Sequence, residues 1–277
     1  MIGGTKLNRK KPTIADLRAL KGKSQLTMLR IFTLEEAEAA EQAGIDIVSL
    51  PPELLAHPRY REMAPSLFSM TGMTHLEYGT RDDYRRFAVR MLEAGGDAVY
   101  CSGGLETVRF LAEDHIPVVG HVGLVPSRAT WTGGFKAVGK TAQSALAVFE
   151  ECKAYEAAGA FAVEIEVVPV EVATEISKRL KLLLWSMGSG PGCDAQYLFA
   201  EDILGTNRGH MPRHAKVYRN FAAEFDRLQD ERINAFSEFI ADVKSGAYPE
   251  EVHVVRMPSA ELLAFEEGLK KDYSSTK

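Results

Sequence analysis

Glu156-Ala-Ala-Gly159-Ala-Phe-Ala-Val163 reads as the end of a helix that runs straight into a buried strand. Alanine and glutamate at helical spacing lead to a glycine, which takes the left-handed conformation that closes a helix at little cost. The apolar run that follows has the composition of a strand covered on both faces. The same logic recurs at Glu41-Gln-Ala-Gly44-Ile-Asp-Ile-Val48 and at Glu93-Ala-Gly-Gly96-Asp-Ala-Val99. Three copies of one helix-to-strand joint point to an α/β fold.

Working outward, helix starts are marked as well as helix ends. Thr33-Leu-Glu-Glu36 has capping-box spacing ahead of a helix over 34–43, and Thr80-Arg-Asp-Asp83 has it ahead of one over 84–94. Strands are predicted at 25–29, 46–50, 66–70, 97–101, 116–121, 161–167, 182–187 and, more weakly, 197–200, with helices between most of them. Eight strands of the parallel kind over this length favour a (β/α)8 barrel, with a doubly wound open sheet as the competitor. Beyond Asp202 the pattern turns polar and helical, with a long amphipathic stretch over 218–243. No low-complexity linker interrupts the chain, so one barrel domain over 1–277 is predicted. A helical appendage over about 206–277 would pack on the barrel or on another subunit.

Composition removes several classes of function. The chain has 277 residues, 45% of them hydrophobic and 26% charged, which excludes a disordered or fibrous protein. A net charge of −5 argues against nucleic acid as the main partner, since phosphate binding needs a basic face. Three cysteines, Cys101, Cys152 and Cys193, are too few for a secreted disulfide framework, so a cytoplasmic location is expected. No apolar run is long enough to span a membrane, and the basic start lacks the apolar core of a signal peptide.

In a barrel of this kind the active site is built at the C-terminal ends of the strands. Glu164 and Glu166 are the strongest oddity there. They stand two residues apart in an otherwise apolar strand, so both point to one face. Burial and a like-charged neighbour both raise a carboxyl pKa, which suits a general base working near neutrality. The plainer alternative is a strand end whose glutamates reach solvent or an arginine. His121 ends another strand, between two glycines, and is a second candidate. The loop Gly188-Ser-Gly-Pro-Gly-Cys-Asp-Ala-Gln196 could cradle an anion on backbone N–H groups, and it brings Ser189 forward as a substrate-binding candidate. Cys193 in that loop has no base beside it in sequence. His57, His75 and His115 lack metal-ligand spacing, and Met63, Met70 and Met73 read as core.

Several of these segments resemble one enzyme family. Gly120-His-Val-Gly-Leu-Val-Pro126 followed by Gly133-Gly-Phe-Lys-Ala-Val-Gly-Lys140 is similar to the signature of the ketopantoate hydroxymethyltransferases, the 3-methyl-2-oxobutanoate hydroxymethyltransferases. So are Glu166-Val-Val-Pro-Val-Glu-Val-Ala173, the 188–196 loop, Asp202-Ile-Leu-Gly205 and Val243-Lys-Ser-Gly-Ala-Tyr-Pro249. The resemblance implies a (β/α)8 TIM barrel of the phosphoenolpyruvate mutase/isocitrate lyase type with a C-terminal helical extension. It also implies a small keto acid as substrate, 5,10-methylenetetrahydrofolate as co-substrate, Mg²⁺ as cofactor and a homo-oligomer, in the family often a decamer. Glu166 matches the family's catalytic base and His121 its histidine beside the substrate.

The family's metal carboxylates are not retained. Its first aspartate falls at Pro52, in Ser49-Leu-Pro-Pro52-Glu53; its second falls in Phe68-Ser-Met-Thr-Gly-Met73, which has no acid. Its Lys-x-Glu becomes Tyr100-Cys-Ser102. No residue is therefore assigned as a metal ligand, and Ser49, Tyr100 and Ser102 become candidate hydrogen-bond donors to an enolate. Glu164, where the family has an aliphatic residue, either rebuilds a metal site with Glu166 and Glu53 or retunes the base; the second is favoured. The sequence thus predicts aldol-type C–C or one-carbon transfer chemistry beside a keto or carboxylate group, with an altered substrate and an altered or absent metal. The alternative is a catalytically inactive paralogue that serves as a ligand-binding or partner subunit.

Overall fold

The Thr33 side chain accepts a hydrogen bond from the Glu36 N–H and opens the Leu34–Ala43 helix, and Gly44, at φ +84°, closes it. That joint delivers the chain into a strand, as the sequence predicts, and the pattern repeats around the molecule. The computed structural model describes residues 9–73 and 78–274. Its strands are β1 (Leu26–Arg30), β2 (Ile47–Leu50), β3 (Phe68–Gly72), β4 (Ala98–Tyr100), β5 (Val118–Gly123), β6 (Ala162–Glu166), β7 (Leu183–Met187) and β8 (Ala195–Phe199). They form a closed barrel in sequence order, every neighbouring pair parallel, with β8 pairing back onto β1. The open-sheet competitor is thereby excluded.

Each predicted strand overlaps an observed one, and the differences lie at the ends. β1 runs on to Arg30, paired with both Ser49 and Phe199. β8 begins at Ala195, where it pairs with Trp185 of β7 and Leu26 of β1. Closure of the barrel sets these limits, and no local pattern reveals them. The helix predicted over 84–94 starts at Arg81, because Thr80 is its N-cap in a complete capping box with Asp83.

Side-chain alternation divides the core in two. Val48, Val99, Val118, Val122, Val163, Ile165 and Leu184 face outward and pack under the helices. Met28, Ile47, Phe68, Met70, Val119, Phe161, Leu183 and Trp185 fill the barrel. Phe161 meets Phe68 and Trp185 edge to face, at centroid distances of 6.1 and 5.7 Å. Met70 and Met73 are buried in these two clusters, as core packing requires.

Toward the C-terminal ends of the strands the same inward-facing columns turn polar: Arg30 on β1, Ser49 on β2, Tyr100 on β4, His121 on β5, Glu164 and Glu166 on β6. The site rests on that change.

The chain divides into two compact units, Met1–Asn220 and Phe221–Lys277. The predicted helical appendage starts later than 206: residues 206–220 are irregular, and the Tyr218 N–H donates to the Ile203 carbonyl at 2.9 Å. The amphipathic stretch forms one 25-residue helix, Phe221–Ser245. Among the described residues no helix is long and apolar enough to cross a membrane.

Candidate active site

Parallel pairing sets His121 opposite Glu164, and Gly123 opposite Glu166. Period two turns Ala162, Glu164 and Glu166 inward and sends Val163 and Ile165 out beneath the helices. Gly123 lets the two strands meet this closely: it sits at φ +85°, and a Cβ there would lie 2.3 Å from the Glu166 carbonyl oxygen. That carbonyl accepts the Leu124 N–H at 2.8 Å.

The imidazole of His121 stands between the two carboxyl groups. Its Nε2 is 3.1 Å from Glu166 Oε2 and its Nδ1 is 3.9 Å from Glu164 Oε2. The Tyr100 hydroxyl lies 3.0 Å from Nδ1. His121, Glu164 and Glu166 are 6%, 7% and 9% exposed, so all three work largely out of water. Burial pushes the Glu164 carboxyl up to about 7; His121 opposes this, Glu166 adds to it and Arg30 opposes it. Burial, followed by the charge of Glu164, pushes the Tyr100 phenol far above its ordinary value, so Tyr100 keeps its proton. With neutral imidazole, Tyr100 O–H donates to Nδ1 and Nε2–H donates to the Glu166 carboxylate. The chain Tyr100–His121–Glu166 thus fixes a carboxylate at the barrel mouth in one orientation.

Ser49 shares this mouth: its hydroxyl accepts from Arg30 Nη1 at 2.8 Å and lies next to the Tyr197 phenol. Ser102 stands apart, half-buried in the loop after β4, with its Oγ 3.5 Å from the Tyr84 hydroxyl. Ser189 is fully buried and its hydroxyl is committed to the backbone, donating to the Ile165 carbonyl at 2.8 Å and accepting the Val168 N–H at 3.1 Å. It fastens the turn behind Glu166. The glycines of its loop serve packing: a Cβ on Gly192 would lie 2.0 Å from Thr174 Oγ1. Cys193 is buried in the same loop, and burial pushes its thiol up to about 12, far from a nucleophile. Glu53, His57 and His115 are exposed, and His75 lies outside the described residues.

Two inward-facing residues escape the sequence reading. Arg30 follows Leu26 and Met28 at period two, but the strand predicted over 25–29 stops one residue short of it. Tyr197 follows Ala195 in the same way on β8. Continuing the alternation one step past residue 29 finds Arg30, and extending the strand predicted over 197–200 back to Ala195 puts Tyr197 on the same inward face.

Mg²⁺ needs a near-octahedral set of oxygen ligands. The ends of β2, β3 and β4 present Ser49, Thr71, Gly72 and Tyr100, with no carboxylate among them. Glu164 and Glu166 converge on His121, which already bonds Glu166, and among the described residues no group of three His, Cys, Asp or Glu side chains is arranged to hold a metal ion. The described residues do not fit the ion that the resemblance implies.

A family model for ketopantoate hydroxymethyltransferase matches residues 53–251, which include Tyr100, His121, Glu164, Glu166 and Ser189. The chain belongs to the ketopantoate hydroxymethyltransferase family. Among its relatives, the 3-methyl-2-oxobutanoate hydroxymethyltransferase of Thermotoga neapolitana is 33% identical over 264 residues, covering 87% of this chain and 95% of that one. The enzyme of the same name from Thermus thermophilus is 34% identical over 264 residues, covering 87% and 98%. Among solved structures, phosphoenolpyruvate phosphomutase from Streptomyces platensis subsp. rosaceus is similar over 96% of this chain and 99% of that one, at 16% identity and a TM-score of 0.49. Membership of the ketopantoate hydroxymethyltransferase family makes this a transferase-type barrel. Arg30 and Ser49 precede the matched segment.

Proposed function

We propose that this chain forms a C–C bond at the carbon next to the keto group of a small 2-keto acid, with Glu166 as the general base. The buried Glu166–His121 hydrogen bond of 3.1 Å at the barrel mouth carries this reading. Glu166 takes the proton from the α-carbon, and the C–H electron pair moves into an enolate whose negative charge rests on the former carbonyl oxygen. The enolate carbon bonds to the methylene carbon of a one-carbon donor of the 5,10-methylenetetrahydrofolate type. Both C–N bonds of that carbon break: the new C–C bond takes the place of one nitrogen and a hydroxyl from water takes the place of the other. The proton held by Glu166 and the proton lost by water leave on the two donor nitrogens. His121 holds Glu166 in place, and Tyr100 holds His121.

The relatives named for 3-methyl-2-oxobutanoate support that acid as the first probe. In D₂O, wild-type protein should exchange its α-proton, followed by proton NMR. Glu166→Gln should slow exchange by about 10²–10⁴-fold while the acid still binds. Unchanged exchange in Glu166→Gln would overturn the base assignment. A wild-type protein that binds small 2-keto acids but exchanges none of them would favour a ligand-binding paralogue.

A further inference from the structure

We infer that Arg30 is the anion-binding group of this site and takes the carboxylate of a small 2-keto acid on its free guanidinium edge. This deepens the keto-acid reading and rests on it for the identity of the ligand, but the chemistry of Arg30 stands on its own geometry.

Among the inward-facing strand positions, Arg30 is the one lysine or arginine. Its guanidinium has five N–H donors. Nη1 donates to Ser49 Oγ at 2.8 Å, and the group lies over the Phe32 ring at 5.4 Å. Nε and Nη2 form no hydrogen bond among the described residues, so one edge of the fork is open. That edge matches the two oxygens of a carboxylate. Ser49 and Phe32 hold the plane in place beforehand, so little freedom is lost when an anion arrives.

Its surroundings leave the positive charge available. Arg30 forms no ion pair among the described residues, and the carboxyl that feels its charge, Glu164, is held up at about 7 by burial. Near neutral pH a large share of molecules therefore presents Arg30 opposite a protonated Glu164.

The placement also suits the reaction. β1, which ends in Arg30, and β6, which ends in Glu166, are separated around the barrel by β7 and β8. A 2-keto acid carries its carboxylate on one side of the keto carbon and its acidic C–H on the other. Carboxylate on the β1 wall leaves the C–H toward the β6 wall, where the base stands. A neutral ketone of the same shape has nothing to offer Arg30.

The test uses the full chain in EDTA, with 3-methyl-2-oxobutanoate, oxalate and the neutral 3-methyl-2-butanone as titrants in calorimetry. The wild type should bind both anions and discriminate against the ketone, and Arg30→Gln should bind each anion at least about ten-fold more weakly. Arg30→Lys, which keeps the charge and loses the fork, should fall between them. In exchange kinetics Arg30→Gln should raise KM more than it lowers kcat. Without any variant, 3-methyl-2-oxobutanoate should protect Arg30 from phenylglyoxal, read by peptide mass spectrometry. The inference is overturned if a folded Arg30→Gln binds the anions within about two-fold of wild type, if the wild type binds neither anion, or if labelling of Arg30 is indifferent to the acid. Arg30-dependent oxalate binding without α-proton exchange would sink the proposed reaction and leave this inference standing. Exchange with a KM indifferent to Arg30 would do the reverse.

Discussion

Glu164 shows how one buried carboxyl ties the site to the stability of the chain. Its value is 4.5 in an ordinary setting and about 7 here, raised first by burial. An acid held up in the folded state costs nothing below the unfolded value and its full penalty above the folded one. This group therefore removes stability as pH rises from 4.5 to about 7. The penalty is at most about 3 kcal/mol. Glu164→Gln has no charge to bury, so its melting temperature relative to wild type should rise by roughly 5 °C between about pH 5 and pH 8. Parallel melting curves across that range would show that Glu164 does not titrate inside the barrel. The pairing of Glu164 and Glu166 was legible, because period two alone aims both at one face. Their common partner His121 was not, since it lies 43 and 45 residues away and reaches them only through the β5–β6 register.

At the scale of elements, β5 and β6 place Glu166 by close backbone approach. Gly123 combines φ +85° with a would-be Cβ contact of 2.3 Å to the Glu166 carbonyl, whereas Gly22 combines φ +68° with open space. Gly123→Ala must relieve both strain and a backbone clash, and should cost about 2–4 kcal/mol; Gly22→Ala meets strain alone and should cost about 1 kcal/mol. Chemical denaturation of the two variants reads the difference. Gly123→Ala should also slow α-proton exchange, because Glu166 rides on the displaced strand. Equal stability in both variants would remove the close-approach argument. The centres of all eight strands could be read from apolar runs and helix stops, as at Gly44 and Gly159. Their ends could not. Arg30 was missed because the last residue of a barrel strand is fixed by neighbours on both sides, not by its own segment, and the inward face of Tyr197 was missed because β8 begins two residues before the predicted strand.

For the molecule as a whole, the described residues converge on a Tyr–His–Glu chain rather than a metal-ligand set. Chelation with EDTA should leave the melting temperature within about 1 °C and leave α-proton exchange unchanged, since a ligand bound to the folded state shifts stability only where a site exists. A large loss restored by Mg²⁺ would overturn this. The repeated glycine joints, the alternation within single strands and the local motifs follow from covalent neighbours and period-two or 3.6 geometry, so the α/β class and the pair Glu164–Glu166 were carried by the chain's own order, while closure decided between barrel and open sheet. The hydrogen bond from His121 to Glu166, the sealing of Ser189 behind β6 and the opening of Arg30 into the mouth join residues far apart in sequence. They exist only once eight strands close on one another, because closure brings strand ends from different parts of the chain within hydrogen-bonding distance and removes the water between them.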